Sequence, residues 1–236
     1  LISIIIPVYN QLHLTRNCLA SIRRHTNMPY EIIVINNGST DKTKSVLNKL
    51  SHIKTINNSQ NTGFAHACNQ GIVKATGNII VLLNNDTIVS KNWLENMVTC
   101  LNSHPQIGIV GPTSNFVAGK QLVRGPSLKR YDFGKGVANE LNPAKWFDVD
   151  FLSGFCMVIK RELIDRIGLL DERFNIGSFE DNDYCLRACR AGYRLVVSGD
   201  TFIYHHGSQT YKGNRIDDRK IGAKNKILFN EKWNLS

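Results

Sequence analysis

Three stretches of this chain carry side chains able to do chemistry. Asp86 closes the run Ile79-Ile80-Val81-Leu82-Leu83-Asn84-Asn85-Asp86, so a carboxylate follows directly on an apolar segment. There it can hold a divalent cation, or it can be an ordinary solvated turn acid. Glu180-Asp181-Asn182-Asp183 sets three acids within four residues, just after Gly177-Ser178. Complementing a helix dipole accounts for one or two of them and leaves at least one free to act as a base. His205-His206 ends the apolar run Thr201-Phe202-Ile203-Tyr204 ahead of Gly207. A lone strand-end histidine is more often structural, but neutral imidazole beside a carboxylate also suits manganese and related ions.

Further polar and glycine-containing stretches could bind a base, a ribose or a diphosphate. They are Pro7-Val8-Tyr9-Asn10, Asn36-Asn37-Gly38-Ser39 and Asn61-Thr62-Gly63-Phe64. Taken alone, Asn37-Gly38 reads first as a tight turn. Neither a G-x-x-x-x-G-K-[ST] loop nor a G-x-G-x-x-G fingerprint occurs in the sequence, which removes the usual support for P-loop and dinucleotide readings.

These stretches fall at the ends of regular elements. Ser3–Pro7, Glu31–Asn36, His52–Asn57, Asn78–Leu83 and Ile107–Gly111 read as short strands. Helical periods lie between them: Leu12, Thr15, Cys18, Leu19 and Ile22; then Val46, Leu47 and Leu50 after Ser39-Thr40-Asp41; then Leu94, Met97, Val98 and Leu101. Alternation at this spacing predicts an α/β domain with an open, mostly parallel central sheet and helices on both faces. In such sheets ligands bind beyond the carboxyl ends of the strands, which is where the polar stretches fall. Pro112 to Pro143 reads as a long loop region, basic through Lys120, Arg124, Lys129, Arg130 and Lys135. Phe151–Lys160 then reads as a strand, followed by a helix from Arg161 and another from Glu180 to Ala191. Two more strands are expected over Tyr193–Val197 and Phe202–His205, and a polar helix from Asp217.

Composition bounds the class. The 236 residues are 42% hydrophobic and 20% charged, with a formal charge of +10, which excludes a disordered or collagen-like chain. The longest apolar runs, Ile79–Leu83 among them, fall far short of the roughly 20 residues that span a bilayer. No signal peptide is recognisable, and because Leu1 already stands inside an apolar run, the chain is expected to be a piece of something longer. Six cysteines without any Cys-x-x-Cys are expected to pack in the core and not to form disulfides. Asn37-Gly-Ser39 and Asn85-Asp-Thr87 are glycosylation sequons at the expected ligand edge, which favours a reducing cytoplasm over a secretory lumen. Scattered Lys and Arg, without aromatic interleaving, argue against nucleic acid as the partner.

In order along the chain, these residues resemble the bacterial family 2 glycosyltransferases of the GT-A fold. The resemblance is carried by Ser3-Ile-Ile-Ile-Pro-Val-Tyr-Asn10, Glu31-Ile-Ile-Val-Ile-Asn-Asn-Gly-Ser-Thr-Asp41, and Asn61-Thr-Gly-Phe-Ala with Asn69. It continues through Leu83-Asn-Asn-Asp-Thr87, Gly154-Phe-Cys-Met-Val-Ile-Lys-Arg161, Glu180-Asp-Asn-Asp-Tyr-Cys-Leu-Arg187 and His205-His-Gly-Ser208. Two departures stand out. Asn84-Asn85-Asp86 keeps one carboxylate where the family has an Asp-x-Asp motif, and Asn36-Asn37 stand where an acid is common. Both leave less negative charge around a nucleotide diphosphate.

The resemblance implies a single GT-A domain over 1–236, with a nucleotide-sugar-binding half (1–112) and an acceptor-binding, catalytic half (113–236). It implies inverting transfer from a UDP- or dTDP-type sugar donor to a hydroxyl on a glycan, lipid-linked saccharide or protein. Asp86 and His205 are then the ligands of Mn2+ or Mg2+. Asp181 is the base, with Asp183 as the alternative, and Glu180 binds the acceptor. Pro7, Tyr9, Asn37, Asn61, Gly63, Asn85 and Gly154 complete the substrate-binding set. The basic loop from Lys120 to Lys135 is expected to face anionic substrates or membrane-bound acceptors, with any membrane contact peripheral and cytoplasmic. A nucleotidyltransferase of similar fold and a catalytically weak nucleotide-sugar-binding module are the rival readings.

Overall fold

In the first strand, β1 (Ile2–Val8), nearly every residue is buried. An unbroken run of Ile here, without polar alternation, means that both faces of the strand are covered. The computed structural model describes residues 1–123, 139–207, 209, 213–214 and 217–235. Arg124, Lys129, Arg130 and Lys135 of the basic loop, and Ser208, lie outside these residues.

β1 sits between β2 (Tyr30–Asn37) and β4 (Ile79–Leu83), parallel to both, with Ile5 opposite Ile33 on one side and Leu82 on the other. β3 (Lys54–Asn58) extends the parallel set beyond β2. A two-residue strand, β5 (Thr87–Ile88), leaves the main sheet, and β6 (Ile107–Thr113) rejoins it. The remaining strands are β7 (Trp146–Val149), β8 (Cys156–Lys160), β9 (Arg194–Phe202) and β10 (Tyr204–His205). The large sheet runs β3-β2-β1-β4-β8-β6-β9-β7, and β10 pairs with β5 in a separate small sheet. β8 lies antiparallel to β4 and β6, and β7 antiparallel to β9, while β6 and β9 are parallel. The sheet is therefore mixed but mainly parallel, as expected.

Reversal of β8 has a consequence for the site. Because Leu83 pairs with Cys156, the start of β8 lies at the same edge as the end of β4. The carboxyl ends of β1 to β4 and β6 share that edge with the segment Gly154-Phe155.

Alternate residues feed two cores. Ile4, Ile6, Val34 and Val81 face α1 (Leu12–His25) and α4 (Trp93–Asn102) through Leu19, Ile22, Trp93 and Met97. Ile5, Ile33, Ile80 and Leu82 face α3 (Phe64–Lys74), α5 (Arg161–Ile167) and α6 (Glu180–Arg190) through Ile72, Leu163, Tyr184 and Ala188. The short α2 (Thr43–Leu47) lies between β2 and β3, and α7 (Asp218–Trp233) closes the described chain, its first turn capped by Asp217. Five cysteines are buried; Cys189, on the last turn of α6, is exposed.

Several boundaries differ from the sequence reading. The expected strand over Phe151–Lys160 begins only at Cys156, and Lys54, not His52, opens β3. Two strands follow Gly192 as expected, but the first runs on through Ser198-Gly199-Asp200 to Phe202, and the second is only Tyr204–His205. Interior polar groups of the first bond each other, Ser198 Oγ donating to Asp200 Oδ1 at 2.5 Å. Among the described residues no helix is long and apolar enough to cross a membrane.

Candidate active site

Asp86 is 4% exposed and His205 is 7% exposed. They meet because β5 and β10 pair, with His205 opposite Thr87. His205 Nε2 stands 3.1 Å from Asp86 Oδ1. The other ring nitrogen, Nδ1, lies 2.8 Å from the carbonyl oxygen of Phe116. A carbonyl only accepts, so Nδ1 carries a proton, and in neutral imidazole Nε2 then keeps its lone pair. That lone pair points at a carboxylate oxygen, so a neutral ring brings two electron donors together. A cation between them removes the repulsion, so the pair fits a divalent ion. The Phe155 ring stacks on the imidazole at 5.1 Å, with Phe116 edge-on at 5.7 Å. Asn115 grips the backbone, its Nδ2 donating to His205 O and its Oδ1 accepting from His205 N.

Burial raises the Asp86 carboxyl. With a second proton on Nε2 the ring donates to Asp86 instead, and that hydrogen bond and charge, with backbone N–H groups, outweigh burial and leave the carboxyl below its ordinary value. Asp86 is thus held as a carboxylate. Among the described residues no group of three or more His, Cys, Asp or Glu gathers around a common centre. Oxygens from a bound diphosphate and water would have to complete the shell, as is usual for magnesium at phosphate sites. His206 turns elsewhere: its ring meets Tyr204 edge-on, and its buried Nε2 has no hydrogen-bond partner among the described residues.

The acidic cluster opens α6. Asp181 Oδ2 accepts from the N–H of Gly154 at 2.8 Å, and Oδ1 from the N–H of Asn182 at 2.9 Å. Burial raises the Asp181 carboxyl, partly offset by these backbone donors, which makes its carboxylate a better proton acceptor. Glu180 is buried, and its Oε2 has no hydrogen-bond partner among the described residues. Burial, and then the charge of Asp181, push Glu180 well above its ordinary value. Asp183 is different. It is fully buried and held by Arg187 Nε at 2.9 Å, Trp233 Nε1 at 2.9 Å and Lys232 Nζ at 2.5 Å. With both oxygens engaged in ion pairs, Asp183 anchors helices.

Gly154-Phe155 links the two centres: Gly154 bonds Asp181 while its neighbour Phe155 stacks on His205. The Phe155 carbonyl also accepts from Asn84 N at 2.8 Å, fixing the turn that presents Asp86. A side chain at Gly154 would crowd Asp181, since a Cβ there would stand 3.3 Å from Asp181 Cβ.

The amides at this edge hold loops together. Asn37 Nδ2 donates to Asn61 Oδ1 and the Gly63 carbonyl, and its Oδ1 accepts from Asn58 and Thr62. Asn85 Nδ2 donates to Thr15 Oγ1 on α1. Gly63 takes φ +94°, and a Cβ there would collide with the Asn175 carbonyl at 2.1 Å. Pro7, in β1 opposite Ile35, and Tyr9, just beyond the strand, lie half-buried at the same edge. The sequence stretches therefore converge on one edge. Asn115, Phe116 and Phe155 were not singled out individually from sequence; backbone carbonyls and ring faces leave no motif.

A model of glycosyl transferase family 2 matches residues 3–168. Among curated proteins, an uncharacterized glycosyltransferase, YwdF, from Bacillus subtilis is 37% identical over 82% of this chain and 69% of its own length. Glycosyltransferase AglE of Haloferax volcanii is 26% identical over 86% of this chain and 66% of its own. The chain spans 24% to 66% of the length of three of the curated relatives it matches. Among solved structures, mannosyltransferase PcManGT from Pyrobaculum calidifontis, in complex with GDP-Man and Mn2+, superposes with a TM-score of 0.66. It is 23% identical over 86% of this chain and 56% of that one, a likeness of fold.

Proposed function

The chain belongs to glycosyl transferase family 2, and from that premise we propose that it moves a sugar from a nucleoside diphosphate-sugar of UDP or dTDP type to a hydroxyl acceptor, with inversion. The acceptor is a glycan, a lipid-linked saccharide or a protein. The observation that carries this reading is the pair of centres joined through Gly154-Phe155: a carboxylate with a histidine lone pair on one side and a raised carboxylate on the other. One suits the leaving group and the other suits the nucleophile.

In the proposed reaction the acceptor O–H gives its proton to the Asp181 carboxylate as the oxygen attacks the anomeric carbon. A new C–O bond forms there, the bond to the β-phosphate oxygen breaks on the opposite face, and the nucleoside diphosphate leaves. A hydroxyl with a pKa far above 7 needs a base in hydrogen-bond reach for this step. Gly154 N–H aims the base, and Glu180 orients the acceptor. Asp86 and His205 would hold a divalent ion, Mn2+ or Mg2+, which when bound stabilises charge on the leaving diphosphate as a Lewis acid. Pro7, Tyr9 and the Asn37-Gly38 backbone line the base and ribose pocket, whose wall is kept by Asn61 and Gly63; Asn85 fixes the turn before Asp86. The solved likeness with GDP-Man and Mn2+ is in keeping with a diphosphate-linked donor and a metal.

We place the work in the cytoplasm. Of the four Asn-x-Ser/Thr asparagines, Asn37, Asn57, Asn85 and Asn234, the first and third are 4% exposed, and a glycan on either of those two is incompatible with this packing.

The test is transfer from a panel of nucleotide-sugars, paired with donor titration calorimetry. Asp181→Asn is expected to lose at least about 10³-fold in kcat, in line with loss of a general base plus the proton it must take. Donor affinity should stay within twofold, because the substitution leaves the Asp86–His205 side untouched. Normal turnover by Asp181→Asn would remove the assignment. A wild-type chain that binds donors but never turns them over would be a nucleotide-sugar-binding module.

A further inference from the structure

One residue of α7 stands apart from the rest of its helix. Asn225 is the only residue of α7 that is fully buried, at 3% exposure. A surface helix ordinarily docks through an apolar stripe; this one buries an amide. Asn225 Nδ2 donates to three backbone carbonyls: Phe174 at 2.7 Å, Gly177 at 2.8 Å and Ser178 at 3.0 Å.

Those carbonyls belong to the segment that enters α6. Four of its residues have positive φ: Asn175 at 52°, Gly177 at 143°, Ser178 at 72° and Phe179 at 73°. Three of the four are not glycine, so the segment holds a conformation that L-residues rarely adopt and that persists only when its surroundings impose it. Such a path has no strand ladder to take its carbonyls, which must find donors elsewhere. An amide NH2 on a short stem supplies two N–H groups at one point. Aspartate would set a carboxylate against three carbonyl oxygens, and leucine would leave them buried and unbonded.

The same helix grips both sides of the acidic pair. Phe229 packs on Phe179, ring centroids 5.5 Å apart, immediately before Glu180. Trp233 and Lys232 bond Asp183, just after Asp181. Asp181 is therefore bracketed by contacts from α7 that do not touch it.

We infer that Asn225 is a positioning residue: by gathering the carbonyls of residues 174, 177 and 178 it fixes how the backbone enters α6 and so aims the Asp181 carboxylate at the acceptor. The inference rests on the proposed role of Asp181 as base. It acts mainly on the chemical step, because the Asp86–His205 pair is built by β5, β10 and residues 115–116. The segment meets the donor side at Asn175, whose carbonyl accepts from Phe64 N beside Gly63 and is not one that Asn225 holds. Small displacements of a base are costly, since general-base catalysis needs hydrogen-bond reach to the proton.

The experiment compares wild type, Asn225→Ala, Asn225→Ser and the exposed α7 control Lys224→Ala. Three readouts are taken: kcat and acceptor KM, donor affinity by calorimetry, and amide hydrogen exchange by mass spectrometry. For Asn225→Ala the expected result is a kcat loss of about 10- to 100-fold, with donor affinity and acceptor KM within twofold. Exchange should speed up over 174–183 and stay unchanged in β1 to β4. Asn225→Ser, with one donor left, should fall between, and it carries the same test should the alanine variant not fold. Lys224→Ala should match wild type in all three. A kcat within twofold of wild type in Asn225→Ala, or faster exchange across the whole molecule, overturns the inference. If wild type transfers no sugar, the functional reading fails on its own, while exchange over 174–183 still reports whether Asn225 holds the segment.

Discussion

Glu180 is the residue on which burial and charge conflict most openly. Its carboxyl is buried with one oxygen unpartnered among the described residues, and its proton affinity is pushed up first by burial and then by Asp181. Linkage makes this a statement about stability. Below the unfolded value of about 4.3 both states hold the proton and nothing is lost. As pH rises through that value the unfolded chain releases the proton and the folded chain keeps it, so folding becomes progressively less favourable until the folded value is reached. Glu180→Gln removes this loss. Its melting temperature should equal that of wild type near pH 4 and exceed it increasingly toward pH 7, by scanning calorimetry across that range. A constant difference at all pH values would mean that packing, and not ionisation, sets the effect. The same substitution should reduce transfer, since the conflict persists at a position proposed to orient the acceptor.

At the scale of elements, α6 and α7 are joined by charge. Asp183 has no exposed surface and binds Arg187, Lys232 and Trp233. Removing the carboxylate takes the shared partner from two mostly covered cations and leaves Arg187 with the Ile167 and Leu169 carbonyls and Lys232 with Asp171. Asp183→Ala should therefore cost about 3 kcal/mol, a little less where Arg187 and Lys232 reach water, measured as a lower urea midpoint with an unchanged m-value. The sequence showed three acids opening a helix, and the resemblance put Asp181 first as base with Asp183 as the alternative. The anchoring of Asp183 was only partly visible, because i, i+4 pairing with Arg187 is local but Lys232 and Trp233 lie about fifty residues away. Strand order in the first half was legible because buried parallel strands appear as continuous Ile and Val runs. β7 was not, since Trp146–Val149 is a short and partly exposed edge strand in the gap between the loop expected to end at Pro143 and the strand expected from Phe151. β9 looked broken at Ser198-Gly199-Asp200, where polar residues satisfy one another inside the sheet. Asp86 and His205 were legible as candidates from residue type and position, but the pairing of β5 with β10 that joins them spans too few residues to leave a period.

For the molecule as a whole, the central fact is that one strand runs backward. With β8 reversed between β4 and β6, the sheet brings the segment before β8 to the edge where β1 to β4 finish, so the Asp86–His205 pair and Asp181 meet over Gly154-Phe155. The two cores on either side of the sheet absorb five of the six cysteines, whose thiols burial pushes up, Cys18 and Cys100 to about 12. Cys189 remains outside, on the last turn of the helix whose first turn carries Asp181. Burial, with a contribution from Asp150, raises it more modestly. The folded chain should thus take up a single maleimide, slowly, and the unfolded chain six, read by intact mass. A wild-type protein so labelled carries a spin or fluorescent reporter on the helix proposed to carry the base, and distance measurements from that reporter could follow the helix through the proposed transfer without any engineered cysteine.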